Sequence, residues 1–283
     1  MGVIVRHKQD GCDNYISNMS TLLPSNSTSG LYVQTIGRGP DIVLVHGWGM
    51  HSGIWEDVIE SLVDDYRVTY LDLPGHGYSR STATGHSLQS LTRIIAKATP
   101  LQAAWVGWSL GGLITQRLAI DTPERVAKLV LVSSSPCFVR RPDWPHALDY
   151  RMLHTFAENL SRDYHATLKR FLALEVHGSE HEVTQLRLLR EIVFQHGNPD
   201  TDALRDGLAI LENTDLRSEL GRIACPTLLL LGRRDNLVPV VAGETIQRLL
   251  PDSCLHVFER AAHAPFFSHL DEFISHLRAF VDE

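Results

Sequence analysis

Gly107-Trp108-Ser109-Leu110-Gly111 sets a serine between two glycines, where the apolar run Ala103 to Val106 gives way to a helical stretch that begins at Leu110. In a G-x-S-x-G elbow the small flanking residues let strand and helix pass closely, while strained backbone projects the serine Oγ outward. A serine hydroxyl is a poor nucleophile until a base removes its proton, and an acid must hold that base in the right tautomer. With this motif the partners follow in the order acid, then histidine. Asp235 stands just after Leu228-Leu229-Leu230-Leu231-Gly232, and His263 lies in Ala261-Ala262-His263-Ala264-Pro265 after the last strand-like run. Both positions are loops at the carboxyl ends of strands, where open α/β sheets place their sites. Asp143, Asp206 and Asp215 are rival acids, but none directly follows an expected strand. Attack on a carbonyl creates an oxyanion that needs two preorganised N–H donors. Leu110, the residue after the nucleophile, supplies one, and Trp48 in His46-Gly47-Trp48-Gly49 supplies the other.

Two further residue sets carry weaker signals. His177-Gly178-Ser179-Glu180-His181 fits an H-x-x-E-H zinc pattern, which requires both histidines on one helical face. Gly178 weakens such a turn and no third ligand stands out among fifteen histidines, so no metal is expected. Arg162, Lys169, Arg170, Arg187 and Arg190 read by themselves as a solvated helix face. The loop Asp72-Leu73-Pro74-Gly75-His76-Gly77-Tyr78-Ser79 reads as structural, its turn set by Gly and Pro.

Short apolar runs position these residues. Leu31 to Thr35, Asp41 to His46, Arg67 to Asp72, Ala103 to Gly107, Lys128 to Ser133, Thr227 to Gly232 and Leu255 to Phe258 read as strands. Most are continuous rather than alternating, as in a sheet covered by helices on both faces. Ile54 to Leu62, Leu88 to Ala98, Leu110 to Asp121 and Ala242 to Leu250 read as the intervening helices. The expectation is an α/β fold with a mostly parallel, doubly wound sheet. Between Ser133 and Thr227 the pattern turns wholly helical, with Arg162 to Glu175 and Glu182 to Phe194 the clearest segments. This predicts a core over residues 31–135 and 217–283, with a helical cap over 136–216 inserted after the sixth strand. Residues 1–30 read as a disordered leader, polar and rich in Ser, Asn and Thr, and Met19 is a candidate start.

At 283 residues the chain is long enough for one large domain with an insertion. A net charge of -7 gives no broad cationic field of the kind a nucleic acid needs. Cys12, Cys137, Cys225 and Cys254 are far apart and suggest neither disulfides nor a thiolate zinc site. No stretch reaches the ~20 apolar residues of a membrane span, and the start has no signal-peptide apolar region, so a cytoplasmic protein is expected.

Taken together, the residues resemble the α/β-hydrolases and, within them, the carboxylesterases of biotin synthesis that demethylate pimeloyl-acyl-carrier-protein methyl ester. The resemblance covers about residues 31–283. It rests on His46-Gly47-Trp48-Gly49, Asp72-Leu73-Pro74-Gly75, Gly107-Trp108-Ser109-Leu110-Gly111-Gly112-Leu113, Ser134-Ser135-Pro136-Cys137-Phe138, Arg170-Phe171-Leu172-Ala173-Leu174 and Ala261-Ala262-His263-Ala264-Pro265-Phe266. It implies an α/β-hydrolase fold, a Ser109–Asp235–His263 triad, and an oxyanion hole from Trp48 and Leu110. It further implies substrate contacts from Trp48, Leu110 and Phe171, and cap arginines Arg170, Arg187 and Arg190 that dock an acyl-carrier protein. Ala166 and Val183 depart from it, standing where further arginines are implied. A cofactor-free monomer is the expected working form. A general short-chain esterase or C–C bond hydrolase, and a catalytically silent binding protein of the same fold, remain alternatives.

Overall fold

A computed structural model of the chain describes residues 30–83 and 85–283. The expected leader and Cys12 lie outside the described residues, apart from Gly30. Seven strands form one sheet: β1 (Val33–Gly37), β2 (Asp41–Val45), β3 (Arg67–Leu71), β4 (Ala103–Trp108), β5 (Val126–Val132), β6 (Thr227–Gly232) and β7 (Ser253–Phe258). Their spatial order is β1-β3-β2-β4-β5-β6-β7, with β1 antiparallel and every other pairing parallel. Successive residues of a strand point to opposite faces. Val43, Trp105, Leu129 and Leu229 therefore join one apolar core, while Ile42, Ala104, Val130 and Leu230 join the other. A strand buried on both faces has no polar side to show, which is why these runs read as continuous.

Helices α1 (Glu56–Leu62), α2 (Leu88–Ala98) and α3 (Leu110–Asp121) follow β2, β3 and β4. Ser87 caps α2 by accepting the Ser90 N–H, and Leu88, Leu91 and Ile95 bury its apolar stripe. Four helices then stand between β5 and β6: α4 (Tyr150–Leu160), α5 (Tyr164–Val176), α6 (Glu182–Gln195) and α7 (Thr201–Asn213). The ends of this insertion meet where the Leu216 N–H donates to the Pro136 carbonyl. It follows the fifth strand in chain order, not a sixth, because only five strands precede it among the described residues. Helices α8 (Val240–Leu249), α9 (Pro265–Ser268) and α10 (Leu270–Asp282) complete the chain. Among the described residues, no helix is long and apolar enough to cross a membrane.

The inserted helices lie tightly against the sheet's carboxyl end. Asp200 N–H donates to Gly75 O at 2.7 Å, His51 Nε2 bonds the Ile192 carbonyl at 2.7 Å, and Arg80 Nη1 donates to His196 O at 2.9 Å.

Candidate active site

The strand β4 runs into α3 with no intervening turn, and Ser109 absorbs the change of direction at φ 55° and ψ -116°. A non-glycine residue there costs ~1–3 kcal/mol and persists only when its surroundings over-determine it. Here the Ser109 N–H donates to Val132 O on β5, and its carbonyl accepts from Ser134 Oγ at 2.8 Å.

His263 joins the other two residues. Its Nε2 lies 2.9 Å from Ser109 Oγ, and its Nδ1 lies 2.8 Å from Asp235 Oδ2. A carboxylate oxygen only accepts, so Nδ1 carries the proton and Nε2 is left to accept from the serine hydroxyl. The second carboxylate oxygen of Asp235 accepts the N–H groups of Leu237 at 2.8 Å and Val238 at 3.0 Å, which fixes the carboxylate plane. The backbone of His263 is held on both sides: its N–H donates to Glu175 O on α5, and its carbonyl accepts from Trp108 Nε1. Ser109 is 2% exposed, Asp235 5% and His263 not at all, so the three sit beneath the inserted helices, shut away from bulk water.

Trp48 is fully buried, its Nε1 donating to Leu204 O on α7 and its ring set edge-on to Phe171 at 4.6 Å. The loop bearing it passes close to the nucleophile, since a Cβ on Gly47 would stand only 3.3 Å from Ser109 Cβ. Leu110 opens α3, where backbone N–H groups have no intrahelical acceptor. Phe171 is buried on α5. The structure therefore brings Ser109, Asp235, His263, Trp48, Leu110 and Phe171 together.

Arg170, Arg187 and Arg190 are exposed on the outer side of α5 and α6 and, among the described residues, make no ion pair. Arg187 and Arg190 flank a shallow groove with Val183 and Leu186. The rival acids are engaged elsewhere. Asp143 and Asp215 pair with Arg217, and Asp206 accepts the N–H groups of Gly85 and His86. His177 follows the last residue of α5 and His181 precedes α6, with Gly178 at φ +84° between them, so the two histidines share no helical face. Among the described residues, the group whose ligand atoms converge within 4.8 Å is His256, Glu272 and His276, on β7 and α10.

Two residues of the site carried no sequence signal. Gly207 on α7 faces Trp48 and Leu110, and a Cβ there would meet Trp48 Cδ1 at 2.6 Å. Glu175 ends the apolar run of α5 and is fully buried. Burial and the neighbouring Asp235 carboxylate hold its carboxyl well above the usual carboxylate range.

Comparison with known proteins agrees with this architecture. Residues 40–270 match the family described as alpha/beta hydrolase fold. The chain is 46% identical over 247 residues to the pimeloyl-(acyl-carrier protein) methyl ester esterase of Nitrosomonas europaea, covering 87% of this chain and 98% of that one. It is 42% identical over 256 residues to the enzyme of that name from Aliivibrio fischeri, covering 90% and 99%. Among solved structures, an esterase from Exiguobacterium antarcticum superposes with a TM-score of 0.82 over 89% of this chain and 96% of its own, at 24% identity. The elbow, the sheet order and this kinship over nearly the whole described chain converge: the protein belongs to the α/β-hydrolase fold family and, within it, to the family of pimeloyl-(acyl-carrier protein) methyl ester esterases.

Proposed function

We propose that the chain is a serine carboxylesterase that hydrolyses the methyl ester of pimeloyl-acyl-carrier protein in biotin synthesis. The observation that carries this reading is His263, bonded at once to Ser109 Oγ and Asp235 Oδ2 in a dry site. His263 Nε2 takes the hydroxyl proton as Oγ attacks the ester carbonyl, and the imidazolium is stabilised by Asp235. The N–H groups of Trp48 and Leu110 hold the oxyanion. The imidazolium returns its proton to the departing methoxide, and methanol leaves. A water deprotonated by His263 then cleaves the acyl-enzyme and frees the carboxylate. No step calls on a metal or an organic cofactor.

Phe171, edge-on to Trp48, forms an apolar wall for the acyl chain. The helices α4 to α7 act as the cap, over residues 136–216. Arg170, Arg187 and Arg190, exposed and unpaired among the described residues, suit an acidic carrier protein docking on that cap. The relatives' names support the carrier-bound ester as substrate. The enzyme acts as a monomer in the cytoplasm on this reading. Val183, exposed where the resemblance implies an arginine, favours a second reading in which small free esters are the substrate.

Rescue of a biotin-requiring strain that lacks its own esterase tests chemistry and carrier recognition together. Growth restored by the wild-type chain and not by Ser109→Ala supports the reading. No rescue, with rapid turnover of p-nitrophenyl esters in vitro, favours the second.

A further inference from the structure

Glu175 is the last but one residue of α5, and its side chain lies wholly inside the molecule, where the charge of Asp235 reaches it. Neither carboxyl oxygen has a hydrogen-bond partner among the described residues. Its own backbone carbonyl accepts the His263 N–H at 2.9 Å, so the same residue touches the base through its main chain while its buried carboxyl lies within the electrostatic reach of the acid. The cations nearby are occupied. In the loop after β6, Arg233 pairs with Glu259 and Arg234 donates to Gly178 O; in the loop after β7, Arg260 pairs with Glu180. On the neighbouring α6, Glu182 accepts the Gly178 N–H and faces His177. Asp235 is thus the charge that acts on Glu175, and it is of the same sign. Two carboxylates sharing a buried space cannot both ionise cheaply, and Asp235, with two N–H donors and an imidazole, is the better solvated of the pair.

We propose that Glu175 is a positioning residue that keeps its proton in the working enzyme, leaving Asp235 the lone anion behind His263 while the end of α5 fixes the imidazole's backbone. This rests on the triad reading above. Its proton is released to solvent only when the medium turns alkaline. A second buried anion then faces Asp235, the end of α5 is pushed away, and the His263 N–H loses its acceptor. Activity falls on the alkaline side for that reason, not through unfolding of the sheet.

Three readouts test this on the full chain. The infrared difference between wild type and Glu175→Gln at pH 7 is expected to show a protonated-carboxyl band that the variant lacks. With p-nitrophenyl butyrate, Glu175→Ala is expected to lose about tenfold or more in kcat with KM within about threefold, and Glu175→Gln to restore most of that loss. Wild type is expected to show an alkaline fall in kcat/KM that shifts upward by about one pH unit or more in Glu175→Gln, with circular dichroism unchanged across the range. Absence of the band, an alkaline profile that the glutamine leaves unshifted, or a glutamine variant no better than alanine would each overturn the inference. If wild type neither hydrolyses the ester nor labels at Ser109 with a fluorophosphonate, the esterase reading fails instead, and the infrared band still decides the protonation of Glu175.

Discussion

Asp235→Asn isolates the role of the acid, because the structure dictates which way the new amide turns. Asp235 Oδ1 accepts two buried N–H groups, from Leu237 and Val238, while Oδ2 accepts one bond from His263. Turning the amide nitrogen toward the two N–H groups would leave both without an acceptor, at about 1–3 kcal/mol each. The amide oxygen therefore stays on them, and the NH2 faces the imidazole. A donor at that position forces His263 Nδ1 to accept, so the ring proton moves to Nε2 and the ring can no longer take the proton of Ser109. The corresponding exchange in a serine-protease triad lowers kcat about 10⁴-fold. At 1.36 kcal/mol per factor of ten, that is ~5.4 kcal/mol of lost transition-state stabilisation. Steady-state kinetics on a p-nitrophenyl ester at neutral pH should show the loss in kcat with KM little changed, and thermal unfolding should shift by only a few degrees. A variant within about tenfold of wild type, or one whose loss falls on KM, would refute the tautomer argument.

Gly107→Ala should damage folding more than chemistry, since its Cβ would meet Thr115 Oγ1 at 2.5 Å and backbone of Gly111 and Gly112 at 2.6 Å; calorimetry should show a destabilisation of at least about 1–3 kcal/mol. Burial lowers the imidazoles of His46, His51 and His76, and brings His196 down to about 4, so these rings stay neutral in the fold. The unfolded chain binds their protons first, below its ordinary value near 6.5, so stability should fall as pH drops from about 6.5 toward 4, by up to ~1.4 kcal/mol per pH unit for each fully buried ring. Thermal midpoints read across that window should show the decline, and His196→Gln should flatten part of it. Joint reversal, Arg187→Glu with Arg190→Glu, should raise KM for carrier-bound ester by about tenfold, more at low salt, and leave p-nitrophenyl ester kinetics unaltered.

The elbow was legible because its determinants are local. Two glycines, an apolar strand and an apolar helix suffice, and Leu110–Asp121 coincides with its expected span. Asp235 and His263 were legible through strand order, since a residue just after a buried run must lie at the sheet's carboxyl end. The helix Thr201–Asn213 falls within the stretch read as helical, but its span was not singled out, although Asp200 caps it by accepting two N–H groups, because its apolar positions are shared between α4 and the loop of Trp48. The strand β5 begins at Val126, two residues before its expected start, the exposed Ala127 and half-buried Lys128 masking a buried valine. Glu175 could not be read at all: a glutamate in the last turn of a helix looks solvated, and its burial and its bond to the His263 N–H come from chain distant in sequence.

The most direct measurement is turnover of pimeloyl-acyl-carrier-protein methyl ester by purified wild-type and Ser109→Ala protein, with the free acid followed by mass spectrometry. Alanine keeps the fold and removes only Oγ, the atom His263 activates. Rapid release of the acid by wild type, with a fall of about 10³-fold or more in the variant, is the expected result. Near-normal turnover by Ser109→Ala, or none by a wild-type protein whose Ser109 labels readily with a fluorophosphonate, would contradict it.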